Sequence, residues 1–311
     1  MTGTEGSGAR GFTFLVNPTS GGGTAPQVVV PLARRLREAG AAVEVAYTSS
    51  AAVVPQLVEE AAARGDVVVS VGGDGMLSSV AGCVAEAGAV LAVVPAGRGN
   101  DFARMLEVPT DTDAQAALLL EGRERPVDLL RITPPAGSTT TVAGSLYAGV
   151  DARAAEIVDR SHWLPGRLQY PVAAVRALAA YRPIALTLEV DGSRTDHLAA
   201  NVVVANSRYY GKGMAIAPDA DVSDGQLDVV VIEAASRLEL IRSLPKVYDG
   251  AHIDLPEVSV LRGRSVRLTG RYAGGDDAVP VGADGEGLGS LPVAGEPLVV
   301  DIAPAAVRVV Y

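Results

Sequence analysis

The chain has 311 residues, of which 48% are hydrophobic and only 4% aromatic, with a net charge of −10; that size buries a large core and suggests about two domains of ~100 to 200 residues each. The acidic balance argues against a nucleic-acid partner, because gripping a phosphate backbone over an extended surface takes clustered Lys and Arg. No apolar run of about 18 residues free of Gly, Pro or charge occurs, no basic and then apolar leader opens the chain, and the single cysteine, Cys83, excludes an internal disulfide framework, so a cytoplasmic protein is expected.

From Phe12 the pattern alternates. FTFLV, PLARRLREAG, VEVAYT, VPQLVEEAAARG, VVVSV, MLSSVAGCVAEAG and VLAVVPAG follow one another, strand signals separated by helix signals, which predicts a parallel α/β sheet covered on both faces. Ligands of such sheets sit at the carboxyl ends of the strands. Three glycine-rich stretches follow strands there: NPTSGGG (Asn17 to Gly23), GGDG (Gly72 to Gly75) and PAGRGND (Pro95 to Asp101). A helix over DTDAQAALLLEG comes next, its Asp-Thr-Asp start supplying a cap and acids to the N-terminus. Cys83, inside an apolar helical stretch, reads as a buried small hydrophobe. Lysine occurs only at 212 and 246, in neither the Walker A nor the protein-kinase context, so both of those phosphoryl-transferase classes are excluded.

After about Arg131 the texture becomes β-rich, with turn signals at VDG and ADG, and predicts a mainly antiparallel sandwich-type second domain. One helical insertion, LQYPVAAVRALAAYRP, breaks the series. Arg262, Arg264, Arg267 and Arg271 alternate as if along one strand and read as a solvated face. The GxGxxG match at Gly6 to Gly11 precedes the first strand and so lacks the helix N-terminus that its mechanism needs. Asp219, Asp221 and Ser223 match the start of an EF-hand loop, but Asp224 and Val230 stand where Gly and Glu are required. His162, His197 and His252 have no metal spacing.

What remains is GGDG, PAGRGND and ADGEG (Ala283 to Gly287). Together they meet the needs of phosphoryl transfer: glycine backbones for phosphates, carboxylates for Mg²⁺ and one carboxylate to take a hydroxyl proton. In ADGEG the two acids Asp284 and Glu286 share a tight turn, and Glu has the longer reach.

In order, NPTSGGG, GGDGMLSSVAG, PAGRGNDFAR, VVVANSRYYGKGMAIAPDADVSDGQLDVVVI and ADGEG resemble the diacylglycerol kinase catalytic family, which includes sphingosine kinases and bacterial soluble lipid kinases, over nearly the whole chain. The resemblance implies a phosphofructokinase-like or NAD kinase-like α/β domain over 1–131, a β-sandwich lipid-substrate domain over 132–302, and a final strand over 303–311 returning to the first domain. It implies ATP and Mg²⁺ as cofactors, a lipid hydroxyl as acceptor, most simply that of diacylglycerol, and transient contact with a membrane surface. Asn17, Ser20 and Gly21, Gly22 and Gly23 look like phosphate-loop contacts, and Thr48 like a nucleotide-side threonine. Gly72, Gly73 and Gly75 would cradle phosphates, with Asp74 near the catalytic Mg²⁺ and Asn100 and Asp101 completing the nucleotide signature. Asp128 resembles an acid that reaches a metal through water, while Asp221, Asp224 and Gln226 resemble a structural Mg²⁺ loop. Glu286 matches the proton acceptor, with Asp284 beside it in the catalytic turn.

Two departures concern the nucleotide. Met76 stands where the family usually has Thr, and Arg98 replaces another Thr near the phosphates, offering a planar fork of donors in place of one hydroxyl. The alternatives left open are a kinase of another hydroxylated lipid or alcohol and a non-catalytic nucleotide- or lipid-binding regulator. No amphipathic anchor or lipidation site stands out, and monomer and homodimer are equally open.

Overall fold

The computed structural model describes residues 10–48, 50–150, 152 and 181–311. The helical insertion expected around 168–183 lies almost wholly outside them, as do His162 and the start of the GxGxxG match. The described chain divides into two compact units, one reaching to Val127 and taking in Ala306–Tyr311, the other Asp128–Ala305.

The first unit is the expected α/β layer. Its strands β1 (Phe12–Val16), β2 (Val43–Tyr47), β3 (Val67–Gly72) and β4 (Val90–Pro95) run parallel in the order β2-β1-β3-β4. β1 and β3 are buried along their whole length, as strands covered on both faces must be, which is why they read as mostly apolar runs interrupted only by Thr13 and by Ser70 before the closing glycine. Helix α1 (Ala25–Glu38) buries Ala25, Val29, Leu32 and Leu36, a helical spacing that packs one face against Phe12, Phe14, Val69 and Val94. α2 (Val54–Arg64) and α3 (Asp74–Ala87) end at Gly65 and Gly88, both left-handed, where a Cβ would be strained. After the short α4 (Asp101–Met105), α5 (Thr112–Glu121) starts as its sequence predicts: Asp111 Oδ1 accepts the N–H groups of Asp113 and Ala114 at 3.0 and 2.9 Å. Cys83 is half-buried on α3, and burial pushes its thiol up, away from reactivity.

The second unit is antiparallel. It comprises β5 (Glu124–Thr133, shared with the first unit), β6 (Thr140–Val142), β7 (Ser145–Gly149), β8 (Ile184–Val190), β9 (Ser193–Ala205), β10 (Leu227–Glu233), β11 (Val258–Gly263), β12 (Ser265–Tyr272), β13 (Pro280–Ala283) and β14 (Glu286–Ser290). β9 is long enough to serve both layers of the sandwich. Its first half pairs with β8, and its second half lies between β7 and β10. Neighbouring residues then face opposite ways. Leu146, Val204 and Val229 enter the inner core with Leu188 and Leu268, whereas Tyr147, Val203 and Val230 pack on the other face with Tyr210 and Ile216.

β15 (Leu298–Val310) serves both units. Its start pairs antiparallel with β12, and its end pairs parallel with β4, Arg308 opposite Val90 and Val309 opposite Leu91. This is the returning C-terminal strand.

Two local expectations are corrected. The four arginines do not share one strand: Arg262 is on β11, Arg267 and Arg271 on β12, and Arg264 at the joint; three of them are ion-paired, Arg262 with Asp224 and Asp228, Arg267 with Glu189, and Arg271 with Asp276. The helix α6 (Arg237–Asp249) was not anticipated. Its signal is Ser236-x-x-Glu239, a capping box in which Ser236 Oγ accepts the N–H of Glu239 and the Glu239 carboxylate accepts the N–H of Ser236.

Candidate active site

In the first unit the three glycine-rich turns meet at the carboxyl ends of β1, β3 and β4. A Cβ on Gly97 would lie 2.3 Å from Gly73 Cα, and one on Gly21 would lie 2.5 Å from the carbonyl oxygen of Ala96, so each turn touches the next through bare backbone. Gly21, Gly22 and Gly23 have φ of 63°, 79° and 93°, a left-handed run that side chains would resist. Asn17 opens that loop by accepting the N–H and hydroxyl of Thr19 at 3.0 and 2.8 Å, and a Cβ on Gly72 would meet Ser20 Oγ at 3.2 Å and the Met76 side chain at 2.8 Å. Met76 therefore packs over the glycine turn.

Asp74 starts α3, and its Oδ1 accepts the N–H of Phe102 at 3.1 Å. A Cβ on Gly99 would fall 3.0 Å from Asp74 Oδ2 and 3.3 Å from Asp101 Oδ2; the two carboxylates flank one bare glycine. Arg104 holds Asp101 Oδ1 at 2.6 Å. Asn100, itself left-handed with φ 56°, ties the turn by accepting the N–H of Gly97 at 2.8 Å and donating to its carbonyl at 3.1 Å. A narrow pocket lies among Ser70, Gly72, Asp74, Pro95 and Asn100, and the buried Ser70 hydroxyl has no partner. Bare backbone, hard carboxylate oxygens and an orphaned hydroxyl fit a phosphate with Mg²⁺. Arg98 is exposed in the same turn, and Thr48 is buried after β2, its hydroxyl donating to the carbonyl of Ser50 at 2.8 Å.

In the second unit Asp128 is buried, and both its oxygens take backbone N–H groups, Gly225 at 2.7 Å and Ala305 at 2.6 Å. It pins the SDGQLD turn. In that turn Asp224 Oδ1 accepts the N–H of Gln226 at 2.9 Å while Oδ2 is held by Arg262, which also reaches Asp228 at 3.2 Å. Burial pushes the Asp228 carboxyl up, an effect that the Arg262 charge opposes. Asp221 caps its own turn, accepting the N–H and hydroxyl of Ser223 at 2.9 and 2.7 Å. No cluster of three or more His, Cys, Asp or Glu suited to a metal forms among the described residues; a Mg²⁺ ion at this loop would have to compete with the Arg262 guanidinium for Asp224.

Asp284 and Glu286 separate in role. Ala283 and Glu286 pair across a two-residue hairpin turn in which Asp284 and Gly285 have φ of 44° and 90°, the double left-handed turn that Asp-Gly favours. The Asp284 carboxylate points back, accepting the N–H groups of Ala143, Gly144 and Ser145 at 3.1, 2.8 and 2.8 Å. Glu286 begins β14 and is exposed. The same 143–145 turn is held from the other side by Asn206, whose Nδ2 donates to the carbonyls of Ala143 and Asp128, each at 2.8 Å. One hydrogen-bonded chain thus runs from Asp284 through Asn206 to Asp128. Asn206, Gly144 and Arg262 were not singled out as site residues; Asn206 lies in the quoted ANS stretch, but its partners are far away in sequence.

Residues 11–132 match the model of the diacylglycerol kinase catalytic domain, and 144–311 match that of the YegS C-terminal NAD kinase beta sandwich-like domain. The chain belongs to the diacylglycerol kinase family. It is similar to a diacylglycerol kinase of Mycobacterium tuberculosis, 34% identical over 88% of this chain and 90% of the relative, and to one of Bacillus subtilis, 25% identical over 90% of each. A solved diacylglycerol kinase from Bacillus anthracis shares the fold, with a TM-score of 0.73, 20% identity and coverage of 98% of both chains. This family member is a kinase enzyme, and none of its described helices is long and apolar enough to cross a membrane.

Proposed function

We propose that this kinase transfers the γ-phosphoryl group of ATP to the hydroxyl of diacylglycerol, giving phosphatidic acid and ADP. The observation that carries the reading is the division of labour in the Asp-Gly hairpin: Asp284 is enclosed by three backbone N–H groups, while Glu286, at the start of the next strand, is exposed. The lipid oxygen forms the new bond to the γ-phosphorus as the bond to the ADP oxygen breaks, and the hydroxyl proton passes to the Glu286 carboxylate. Gly21 to Gly23, Gly72, Gly73 and the Pro95–Asn100 turn bind the phosphates, with Arg98 adding a guanidinium. Asp74 and Asp101 would hold Mg²⁺, which when bound neutralises charge on the transferring group. The names of the Mycobacterium and Bacillus relatives support diacylglycerol as the acceptor.

A second reading, another hydroxylated lipid, is favoured by a relative from Xanthomonas oryzae named "Probable lipid kinase YegS-like", 31% identical over 64% of this chain. Turnover of radiolabelled ATP with separate diacylglycerol, monoacylglycerol and sphingoid-base samples tests both. Labelled phosphatidic acid as the dominant product is expected; label on another lipid selects the second reading, and no label on any lipid sinks both.

A further inference from the structure

Helix α6 buries one face and exposes another that no part of the phosphoryl-transfer reading uses. Inward, Leu240, Ser243 and Val247 line a cavity of about 300 Å³ with Ile232 and Val258, and the exposed Arg242 and Lys246 also reach its edge. Outward, Leu238, Ile241 and Tyr248 are 55%, 40% and 50% exposed. Exposed large hydrophobic residues are ordinary when scattered singly, but three of the nine among the described residues fall on this one helix of 13 residues. With Pro245, also exposed, they are spaced by three and four residues and form a single stripe. Exposed Arg237 borders the stripe on one side, and exposed Arg242 and Lys246 on the other. The two acids of the helix are exposed and lie near its ends: Glu239, close enough to Arg242 to feel its charge, bonds back to the N–H of Ser236 at 2.9 Å, and Asp249 accepts the N–H of Ala251 at 3.0 Å.

We propose that the outer face of α6 is the surface on which this kinase rests against an anionic lipid bilayer. Leu238, Ile241 and Tyr248 enter the boundary between headgroups and acyl chains, and Arg237, Arg242 and Lys246 meet lipid phosphates. Charge complementarity selects this occupant. A chain of net charge −10 is repelled by an anionic bilayer except where cations gather, so a cation-bordered apolar stripe orients the approach as well as anchoring it. Three side chains on one helix also fall short of the roughly 800 Å² per partner that a stable protein interface buries. The inference rests on the lipid-kinase reading only for its purpose; docking is measured without turnover.

The test is co-sedimentation of the full chain, without nucleotide, with vesicles of phosphatidylcholine alone and of phosphatidylcholine with phosphatidylglycerol. The wild type should bind the anionic vesicles at least ~10-fold more tightly than the neutral ones. Leu238→Asp with Ile241→Asp, and separately Arg242→Glu with Lys246→Glu, should each weaken anionic binding ~10-fold or more. Both variants should keep the wild-type melting temperature and the wild-type rate on a short-chain diacylglycerol dissolved as monomer. Equal binding by wild type and variants, equal wild-type binding to both vesicle types, or no binding to either overturns the assignment. So does a wild-type dimer, seen by light scattering, that dissociates in the Leu238→Asp, Ile241→Asp variant, because the face then belongs to a second copy. Vesicle binding with no turnover of any lipid would sink the proposed function and leave the docking face standing; turnover with docking unaffected by the variants would do the reverse.

Discussion

Asp284 Oδ1 lies 2.8 Å from the backbone nitrogen of Ser145, a residue 139 positions earlier in the chain. In the proposed mechanism this acid of the catalytic turn acts as a positioning residue. Its fixed carboxylate sets where β14, and with it Glu286, begins. Asparagine suits the left-handed turn equally well but offers only one accepting oxygen to three N–H groups. Asp284→Asn should therefore preserve the hairpin yet lower stability by about 2 to 3 kcal/mol, the scale of a lost charge-assisted hydrogen bond with a donor left unpaired. Urea melts would show it, and an unchanged midpoint would mean that the three contacts contribute nothing.

Glu286→Gln keeps the size of the side chain and removes its ability to take a proton. Turnover should fall by ~10²-fold or more with ATP affinity and melting temperature nearly intact, the scale of general-base catalysis. If turnover stays near normal, the proton goes elsewhere, and Asp74 is the next residue to replace.

Arg98→Ala should weaken ATP binding by more than ~10-fold, as expected for a charge-assisted contact of ~1.5 to 3 kcal/mol. Calorimetric titration of ATP reads this directly. An affinity indifferent to the change would move Arg98 from the triphosphate to a structural or lipid-side role.

Mg²⁺ should raise the melting temperature, and Asp224→Ala should remove that increment. Because Arg262 also binds Asp224, Arg262→Gln should enlarge it by freeing the carboxylate. Scanning calorimetry across a Mg²⁺ series distinguishes the outcomes; a wild-type increment that survives Asp224→Ala removes the metal from this loop.

His252 is buried, with its Nε2 3.0 Å from the carbonyl oxygen of Ile216. Burial lowers its affinity for a proton below the ordinary value of 6.5, an effect that nearby backbone carbonyls partly offset. The unfolded chain then binds this proton at a higher pH than the folded one. The contribution is intact above pH 6.5 and is lost as pH falls from there through the folded-state value. His252→Gln should flatten the decline of melting temperature below pH 6.5; identical slopes for wild type and variant would assign the decline to other groups.

Much of this was legible because the period of the sequence matched the period of the structure. The buried runs of β1 and β3 carry no polar residue facing water, and Asp111 announces its own cap. Asp284 was legible as an acid in a turn, but not as an anchor, because nothing near it in sequence names the three N–H groups it meets. Arg262 was hidden for the same reason: alternation along an apparent strand says which way a side chain points, whereas its partners Asp224 and Asp228 come from another strand and the turn before it. Helix α6 is hidden in the sequence because Pro245 and a weakly apolar pattern mask its period, although Ser236 and Glu239 mark its start.

The parallel sheet of the first unit is completed by residues translated long after its other strands. Val309 pairs beside Leu91 on β4, so a ribosome must add roughly 180 further residues after Val127, on the order of ten to forty seconds of synthesis, before that strand arrives. For that interval β4 presents unpaired N–H and C=O groups along one side, a template for adhesion to other nascent chains. The first unit therefore cannot mature as an independent module ahead of the second, and swapping or trimming residues 306–311 would touch the half of the enzyme that was made first.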